Sequence, residues 1–347
     1  MKAVRLGRAA GTRNMIKVAE DAENASILIT GRSGAGKTVA MQKISQNIAS
    51  DGGTVVMLSF HGTQSMIRED GIAVIDIRKE GLPFPILAPV CRPDGSKEDG
   101  LDAAGEVTDI FSDVLRLGAR EKLEFQRAVQ RAMEREDYPE DMEAIGRELI
   151  RLLEDKENGN KKVAGKIYDK FDSAFRQVRV SPMEGFPEPG KVTVLDLDGF
   201  SSLVQAPLAD LILSVLWRYY RICGQQKEDM LFLACDEFQV LSLRPNSALN
   251  QILREGRKFH VAVLLATQTL ERFGKKEEAV LLQAATQLYF RPAANEAGKI
   301  LNRLGADKTN VWKGKLLGLQ RGECIASGRL QIGLVVREAP LKMTFCI

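Results

Sequence analysis

A glycine-rich segment at residues 31–38 (GRSGAGKT) constrains this chain more than any other feature, because it fits the P-loop pattern without a mismatch. The pattern requires a glycine, four variable residues, and then Gly-Lys followed by Ser or Thr. A short apolar strand pattern at 26–30 precedes the segment and a helical pattern follows it, which is the context that this motif requires. Successive N–H groups at the start of that helix can bind phosphate. The sequence therefore predicts a nucleoside triphosphate site and not a ligand-free glycine-rich turn.

The residues predicted to contact the nucleotide form one continuous segment. They are Gly31, Arg32, Ser33, Gly34, Ala35, Gly36, Lys37, Thr38 and Val39. Within this segment, Lys37 is expected to reach the β- and γ-phosphates of ATP, and the Thr38 hydroxyl is expected to ligate Mg²⁺.

The composition of the 347 residues is that of an ordinary globular protein, with 44% hydrophobic and 27% charged residues. A formal net charge of +3 neither requires nor excludes a polyanionic partner. The five cysteines show no zinc-binding spacing, and two histidines are too few for a histidine-based metal site. No apolar stretch approaches the ~18 residues that a membrane span needs, so we expect a cytoplasmic protein with buried, free thiols.

Strand and helix patterns alternate along much of the chain. Strands are predicted at 26–30, 54–58, 72–77, 191–197, 230–235, 261–266 and 287–291, with shorter pieces at 322–327 and 330–336. Helices are predicted at 38–49, 208–223 and 248–257. This alternation predicts an α/β fold with a mainly parallel central sheet flanked by helices.

The middle of the chain differs from this pattern. After a proline-rich stretch at 83–95, charged amphipathic helical segments are predicted at 103–136, 141–156 and 162–178. We interpret residues 83–190 as an all-helical insertion with solvated charged faces, and residues 1–82 and 191–347 as the ATPase core.

An acidic pair, Asp236 and Glu237, ends the apolar strand at 230–235, as in a Walker B motif. Asp236 is expected to hold Mg²⁺ through its water shell. Glu237 is expected to polarise the attacking water as a general base, which favours hydrolysis over transfer to a small acceptor. The alternative is an acidic pair that only caps a strand end.

Two further elements bear on catalysis. Gln268 follows the strand at 261–266 and could bond the γ-phosphate or the attacking water. Arg254 and Arg257 lie near the end of the helix before that strand, where either could act on a neighbouring subunit's site as an arginine finger. Their alternative role is a favourable interaction with the helix C-terminus.

A loop after Gln268 carries Arg272, Lys275 and Lys276 among acidic residues. It could contact DNA phosphates in a central pore, or it could be a solvated loop of mixed charge, which is at least as common. No base-reading Asn-Lys-x-Asp motif of a GTPase and no ABC signature accompanies the P-loop.

With these motifs the chain resembles the HerA–FtsK superfamily of P-loop ATPases, and most closely HerA. The matching segments are GRSGAGKT at 31–38, PGKVTVLDLDGF at 189–200, LFLACDEF at 231–238, REGRKFHVAVLLATQ at 254–268 and LQRGECIASG at 319–328. The resemblance implies a RecA-like core, a helical insertion, a homo-oligomeric ring that is usually a hexamer, and ATP-driven movement of double-stranded DNA.

The chain departs from that family in two places. HerA has Asp-Pro-His-Gly-Glu-Tyr after the second strand, whereas residues 59–63 here read Ser-Phe-His-Gly-Thr and lack the acidic residue. Only about 25 residues precede the first core strand, so an N-terminal barrel like that of archaeal HerA is not expected. Two alternatives to a DNA motor stay open, namely a secretion or conjugation ATPase and a nucleotide-switched module that regulates a partner nuclease.

Overall fold

A computed structural model describes residues 4–62, 71–134, 142–155, 160–224, 229–305, 310–338 and 340–345. The strands are β1 (Arg5–Ala9), β2 (Met15–Val18), β3 (Ile27–Thr30), β4 (Thr54–Ser59), β5 (Ile72–Asp76), β6 (Val192–Asp196), β7 (Leu231–Asp236), β8 (Val261–Thr267), β9 (Thr286–Phe290), β10 (Glu323–Ser327), β11 (Leu330–Ile332), β12 (Val335–Arg337) and β13 (Leu341–Thr344). The helices are α1 (Lys37–Ser50), α2 (Ile77–Glu80), α3 (Gly100–Val114), α4 (Ala119–Met133), α5 (Glu143–Glu154), α6 (Lys161–Phe175), α7 (Ser202–Cys223), α8 (Ala248–Glu255), α9 (Lys275–Leu281), α10 (Ala297–Arg303) and α11 (Asn310–Leu317). All described strands join one sheet in the order β12-β11-β2-β1-β13-β10-β9-β3-β8-β7-β4-β6-β5.

The half of the sheet from β9 to β5 is parallel throughout. Its central strands are buried on both faces, because side chains alternate between two cores. Ile27 and Ile29 belong to the core beneath α1, whereas Leu28 belongs to the core beneath α7 and α8. The predicted α/β fold, with a mainly parallel sheet flanked by helices, is confirmed for this half.

Strand order places β8 between the P-loop strand β3 and the acidic strand β7. Residues at the carboxyl ends of the three strands are therefore neighbours: Thr30 pairs with Thr267, and Asp236 pairs with Ala266. Because ligands bind at this edge of parallel sheets, all three strands contribute to one site.

The other half of the sheet is antiparallel, and the sequence patterns predicted it only in part. The first 25 residues carried no strand prediction, yet β1 and β2 form a hairpin there. The short β1 segment contains two arginines and a glycine, and it is ordered by pairing with β13, more than 300 residues later in the chain (Arg8 opposite Thr344). Pairing across such a distance leaves no local signal.

The helical region differs from its prediction in one respect. Residues 103–136 were predicted as one helical segment, but two helices, α3 and α4, cover the described part to 134. The chain reverses between them at Arg116, whose φ of 55° is left-handed and ends the helix. The rest of the prediction is confirmed by α5 and α6, and the domain limits at residues 82 and 190 stay a prediction.

A cluster of phenylalanines joins the helices of this region. The Phe111 ring on α3 is fully buried, and its centroid lies 5.4 Å from Phe125, 5.7 Å from Phe171 and 5.5 Å from Phe175. The cluster belongs to the same core as α7, so the helical region packs on the sheet through α7. In the part of the chain that the structure describes, no helix is long and apolar enough to cross a membrane.

We expect Phe111→Ala to lower the free energy of unfolding by about 3–5 kcal/mol, because it removes a buried ring and leaves a cavity among three others. Leu101→Ala on the same helix is the matched control, since Leu101 is 67% exposed. Urea denaturation of the full-length chain measures both. Equal small effects would contradict the packing role of Phe111.

Candidate nucleotide site

The P-loop follows β3 in a conformation that glycine permits. Gly34 and Gly36 have φ values of 75° and 103°, which disfavour other residues. A Cβ atom at Gly31 would lie 2.5 Å from the Cβ of Phe290, so the loop can approach β9 only with glycine there. The loop is therefore close to the sheet, and the N-terminus of α1, whose N-cap Gly36 has no capping side chain, is free to bind an anion.

Two backbone hydrogen bonds join the loop to the residue after β9 and to the residue before β10. The Arg32 N–H donates to the Arg291 carbonyl at 3.0 Å, and the Gly322 N–H donates to the Ala35 carbonyl at 3.0 Å. Gly322 lies in the LQRGECIASG segment. This segment therefore contacts the P-loop directly.

Lys37 is the buried cation of the site. Its side chain is 6% exposed, and its Nζ donates to the Arg32 carbonyl at 3.2 Å. Burial lowers the pKa of Lys37, and the nearby carboxylates of Asp236 and Glu237 oppose this shift. The lysine is thus held in place before any phosphate arrives.

Thr38, in the first turn of α1, lies beside Asp236, the last residue of β7. The Thr38 hydroxyl donates to Asp236 Oδ2 at 2.5 Å. Burial raises the pKa of Asp236, and Glu237 adds to the rise, while the Thr38 hydrogen bond and Lys37 lower it. The two side chains supply hard oxygen ligands, the kind that Mg²⁺ takes. Within the described ranges no cluster of three His, Cys, Asp or Glu side chains could hold a metal, so Mg²⁺ here would need phosphate and water ligands as well.

Glu237 lies next to Asp236 in a left-handed backbone conformation, with φ 58° and ψ 42°. Its N–H donates to Asp236 Oδ1 at 3.0 Å, and its Oε1 accepts from Gln268 Nε2 at 2.9 Å. Burial raises the pKa of Glu237, but the hydrogen bonds from Gln268 and Gln239, with the charges of Lys37 and His61, give a net lowering. The carboxylate is therefore ionised, as a general base must be.

An open cleft borders this carboxylate. Its lining residues include Glu237 and Gln268, together with His61, Gln239 and Arg272. Arg272 thus lines the same cleft as the candidate base, whereas the sequence suggested it only for a pore loop. Lys275 begins α9, and DNA contact by this loop stays a prediction. Thr63, which replaces part of the HerA motif, lies outside the described residues.

The two candidate finger arginines lie near the start of β8, at the opposite end of the parallel strands from the P-loop. Arg254 is in the last turn of α8, and Arg257 is in the 3₁₀ turn that leads into β8. Arg257 Nη1 donates to the Glu23 carbonyl at 2.9 Å. The Arg254 side chain is exposed and has no hydrogen-bond or ion-pair partner among the residues described.

The structure thus brings most of the predicted site residues together. The P-loop, Asp236, Glu237 and Gln268 share one edge of the sheet; Ser33 and Gly34 are exposed on the loop, and Val39 lies in the first turn of α1. The arginine pair is separate. Gln239 and His61 were not predicted. Gln239 is three residues beyond Asp236, in a turn whose geometry the sequence does not reveal.

Comparisons with known proteins identify the family and the fold. Residues 4–218 match the model of the family "Helicase HerA, central domain". VirB4 of Thermoanaerobacter pseudethanolicus has a TM-score of 0.72 at 15% identity, covering 99% of this chain and 96% of that chain. The bacterial conjugative coupling protein TrwB has a TM-score of 0.66 at 13% identity, covering 100% of this chain and 90% of its own.

TrwB in complex with ADP and Mg²⁺ is similar to the same extent, with a TM-score of 0.66 at 13% identity, and the match covers 100% of this chain and 89% of that chain. No curated protein matches the chain in sequence. The structural matches confirm the RecA-like α/β fold, and the family match covers more than half of the chain. The chain belongs to the family of the HerA helicase central domain and is a P-loop ATPase motor of the HerA–FtsK type.

Proposed function

We propose that ATP is hydrolysed at the edge formed by β3, β8 and β7, and that a ring of these subunits uses the energy to move double-stranded DNA. The observation that carries the proposal is the convergence of Lys37, Thr38, Asp236, Glu237 and Gln268 on one edge of the sheet, in a chain of the HerA family. Each residue supplies a group that phosphoryl transfer to water requires.

Each group has a separate task in this proposal. Lys37 and the N–H groups of the P-loop bind the β- and γ-phosphates, and Glu237 accepts the proton of the attacking water. Gln268 orients that water or bonds the γ-phosphate.

Thr38 and Asp236 are the residues that we propose for Mg²⁺, Asp236 through bound water. Their oxygen atoms suit the ion, and the complex of the similar TrwB with ADP and Mg²⁺ supports the assignment. The bound ion would neutralise charge on the β- and γ-phosphates.

We further propose that the active site is shared between subunits. The seven residues of β8 separate the end of α8 from Gln268. The length of this strand is roughly 20 Å at about 3.3 Å per residue. Arg254 is therefore out of reach of the γ-phosphate of its own subunit. We assign Arg254 as the finger and Arg257, which is bonded to Glu23, as the alternative.

This separation also favours a ring. An arginine that acts on the site of a neighbouring subunit from the opposite end of the strands is suited to a head-to-tail contact, which repeats from one subunit to the next. Head-to-tail contacts use both edges and form a ring when the rotation closes. A homo-hexamer in the cytoplasm is the assembly that we propose.

A second candidate is a conjugation or secretion ATPase that drives transport of protein or of a protein-bound strand. The similarity to VirB4 and to the coupling protein TrwB over nearly the whole chain favours it. Transfer machinery or a nuclease would then be the partner.

Lys37→Ala should abolish ATP hydrolysis and weaken ATP binding, because the phosphates lose their buried cation. Glu237→Gln should keep binding and lose turnover, because only the base is removed. Lys191→Ala is the control, because Lys191 directly precedes β6, at the end of the parallel strands that lies away from the P-loop. A fluorescent ATP analogue measures binding and phosphate release measures turnover. Wild-type turnover by Glu237→Gln would refute the role of Glu237.

Duplex DNA should stimulate ATP hydrolysis several-fold more than single-stranded DNA does, since a translocase hydrolyses ATP as it moves along its track. The stimulation should weaken as salt rises, because phosphate contacts release counterions. Phosphate release with no DNA, single strands or duplexes at two salt concentrations tests this. A rate of ATP hydrolysis that duplex DNA does not change would favour the transport ATPase or a nucleotide-switched regulator of a nuclease.

Arg254→Ala should lower the rate of hydrolysis by roughly 10³-fold or more, as for a lost arginine finger. Lys258→Ala, which removes an exposed cation four residues later, should have little effect. Mixing Arg254→Ala with Lys37→Ala subunits should recover activity, because some interfaces then combine an intact P-loop with an intact finger. Absence of recovery despite subunit exchange, or a fully active monomer, would contradict the shared site.

A further inference from the structure

Two amides hold the carboxylate of Glu237, one on each oxygen. Gln268 Nε2 donates to Oε1 at 2.9 Å, and Gln239 Nε2 donates to Oε2. The two glutamines come from different elements: Gln268 follows β8, and Gln239 lies in the 3₁₀ turn after Glu237. The proposed base is therefore fixed at both oxygens.

The orientation of the Gln239 amide follows from its neighbours. An ionised carboxylate only accepts hydrogen bonds, so the NH₂ group of Gln239 must face Glu237. The Oε1 atom of Gln239 then faces Thr267, whose hydroxyl donates to it at 3.0 Å. Thr267 is 1% exposed at the end of β8. The carboxylate thus fixes which end of the amide faces it, and the buried Thr267 hydroxyl, which also lies 3.2 Å from the Thr269 carbonyl, holds the other end.

The two amides differ in how firmly they are held. Gln239 is half-buried and bonded at both ends, whereas Gln268 is exposed and bonded only through its NH₂ group among the described residues. Movement of Gln268 toward a phosphate or a water therefore costs one exposed hydrogen bond. Movement of Gln239 would break two, one of them to a buried threonine.

We propose that Gln239 is a positioning residue for Glu237, oriented by Thr267, and that it keeps one carboxylate oxygen fixed while Gln268 releases the other for catalysis. The inference rests on the proposed role of Glu237 as general base. It assigns Gln239 no contact with the substrate.

The hydrolytic step then uses a single oxygen of Glu237. Water transfers a proton to Oε1 while its oxygen bonds to the γ-phosphorus. The bond from that phosphorus to the bridging oxygen breaks, which gives ADP and phosphate. The carboxylic acid afterwards releases the proton to solvent. Gln239 remains bonded to Oε2 throughout and stabilises the ionised carboxylate between turnovers.

The test compares Gln239→Ala and Thr267→Val with the conservative Thr267→Ser. We expect the first two to lower kcat by about 10- to 100-fold through misplacement of the base and to leave the KM for ATP unchanged. Thr267→Ser keeps the hydroxyl and should restore kcat. Gln331→Ala, which changes a half-buried glutamine on β11 that bonds a nearby carbonyl, is the matched control. Binding of a fluorescent ATP analogue should stay at the wild-type level throughout.

A wild-type kcat in Gln239→Ala would overturn the inference, and so would a fall in kcat that is matched by loss of ATP binding. A Thr267→Ser variant as impaired as Thr267→Val would also overturn it. If Thr267→Val proves unstable in thermal melts, the half-buried Gln239→Ala decides alone. Glu237→Gln distinguishes the two proposals. If it still turns over ATP, the proposed base is wrong; if it does not, a wild-type kcat in Gln239→Ala rejects only the role of Gln239.

Discussion

The buried charge of Lys37 is the constraint on which the rest of the site depends. The residue is 6% exposed, and a buried ammonium group is unfavourable unless opposite charges face it. Asp236, which ends β7, and Glu237, which follows it, supply those charges, and the Arg32 carbonyl accepts from Nζ. The charge balance therefore couples the end of β7 to α1 and to the P-loop, which turns back over its own lysine. We propose that this ordered lysine favours phosphate binding.

Most of this arrangement could be predicted from the sequence, since it depends on local patterns. The P-loop glycines, the apolar strand before Asp236 and the strand before Gln268 each have a signal within ten residues. Their meeting at one edge follows from the rule that the carboxyl ends of parallel strands face the same way. What could not be predicted depends on distant pairing. The strand β1 is ordered by β13, and the role of Gly322 appears only when its N–H meets the P-loop carbonyl of Ala35.

The hydrogen bonds between side chains around Glu237 could not be predicted from the sequence either. Gln239 reaches Glu237 because the left-handed backbone at Glu237 turns the chain sharply after β7, and a chain of L-residues rarely adopts that conformation. Arg272 lies on the same cleft because the chain folds back after β8. The helical prediction missed the reversal at Arg116 for a related reason, since one residue with positive φ interrupted a continuous helical pattern.

Above all, we propose that ATP binds around Lys37 in a site completed by the next subunit. The most direct measurement is the structure of the assembled protein with a non-hydrolysable ATP analogue and Mg²⁺. We predict the γ-phosphate on Lys37 Nζ, the metal on the Thr38 hydroxyl, and the guanidinium of a neighbouring Arg254 within hydrogen-bond distance of the γ-phosphate. A nucleotide bound elsewhere, or a γ-phosphate surrounded by one subunit alone, would contradict the account.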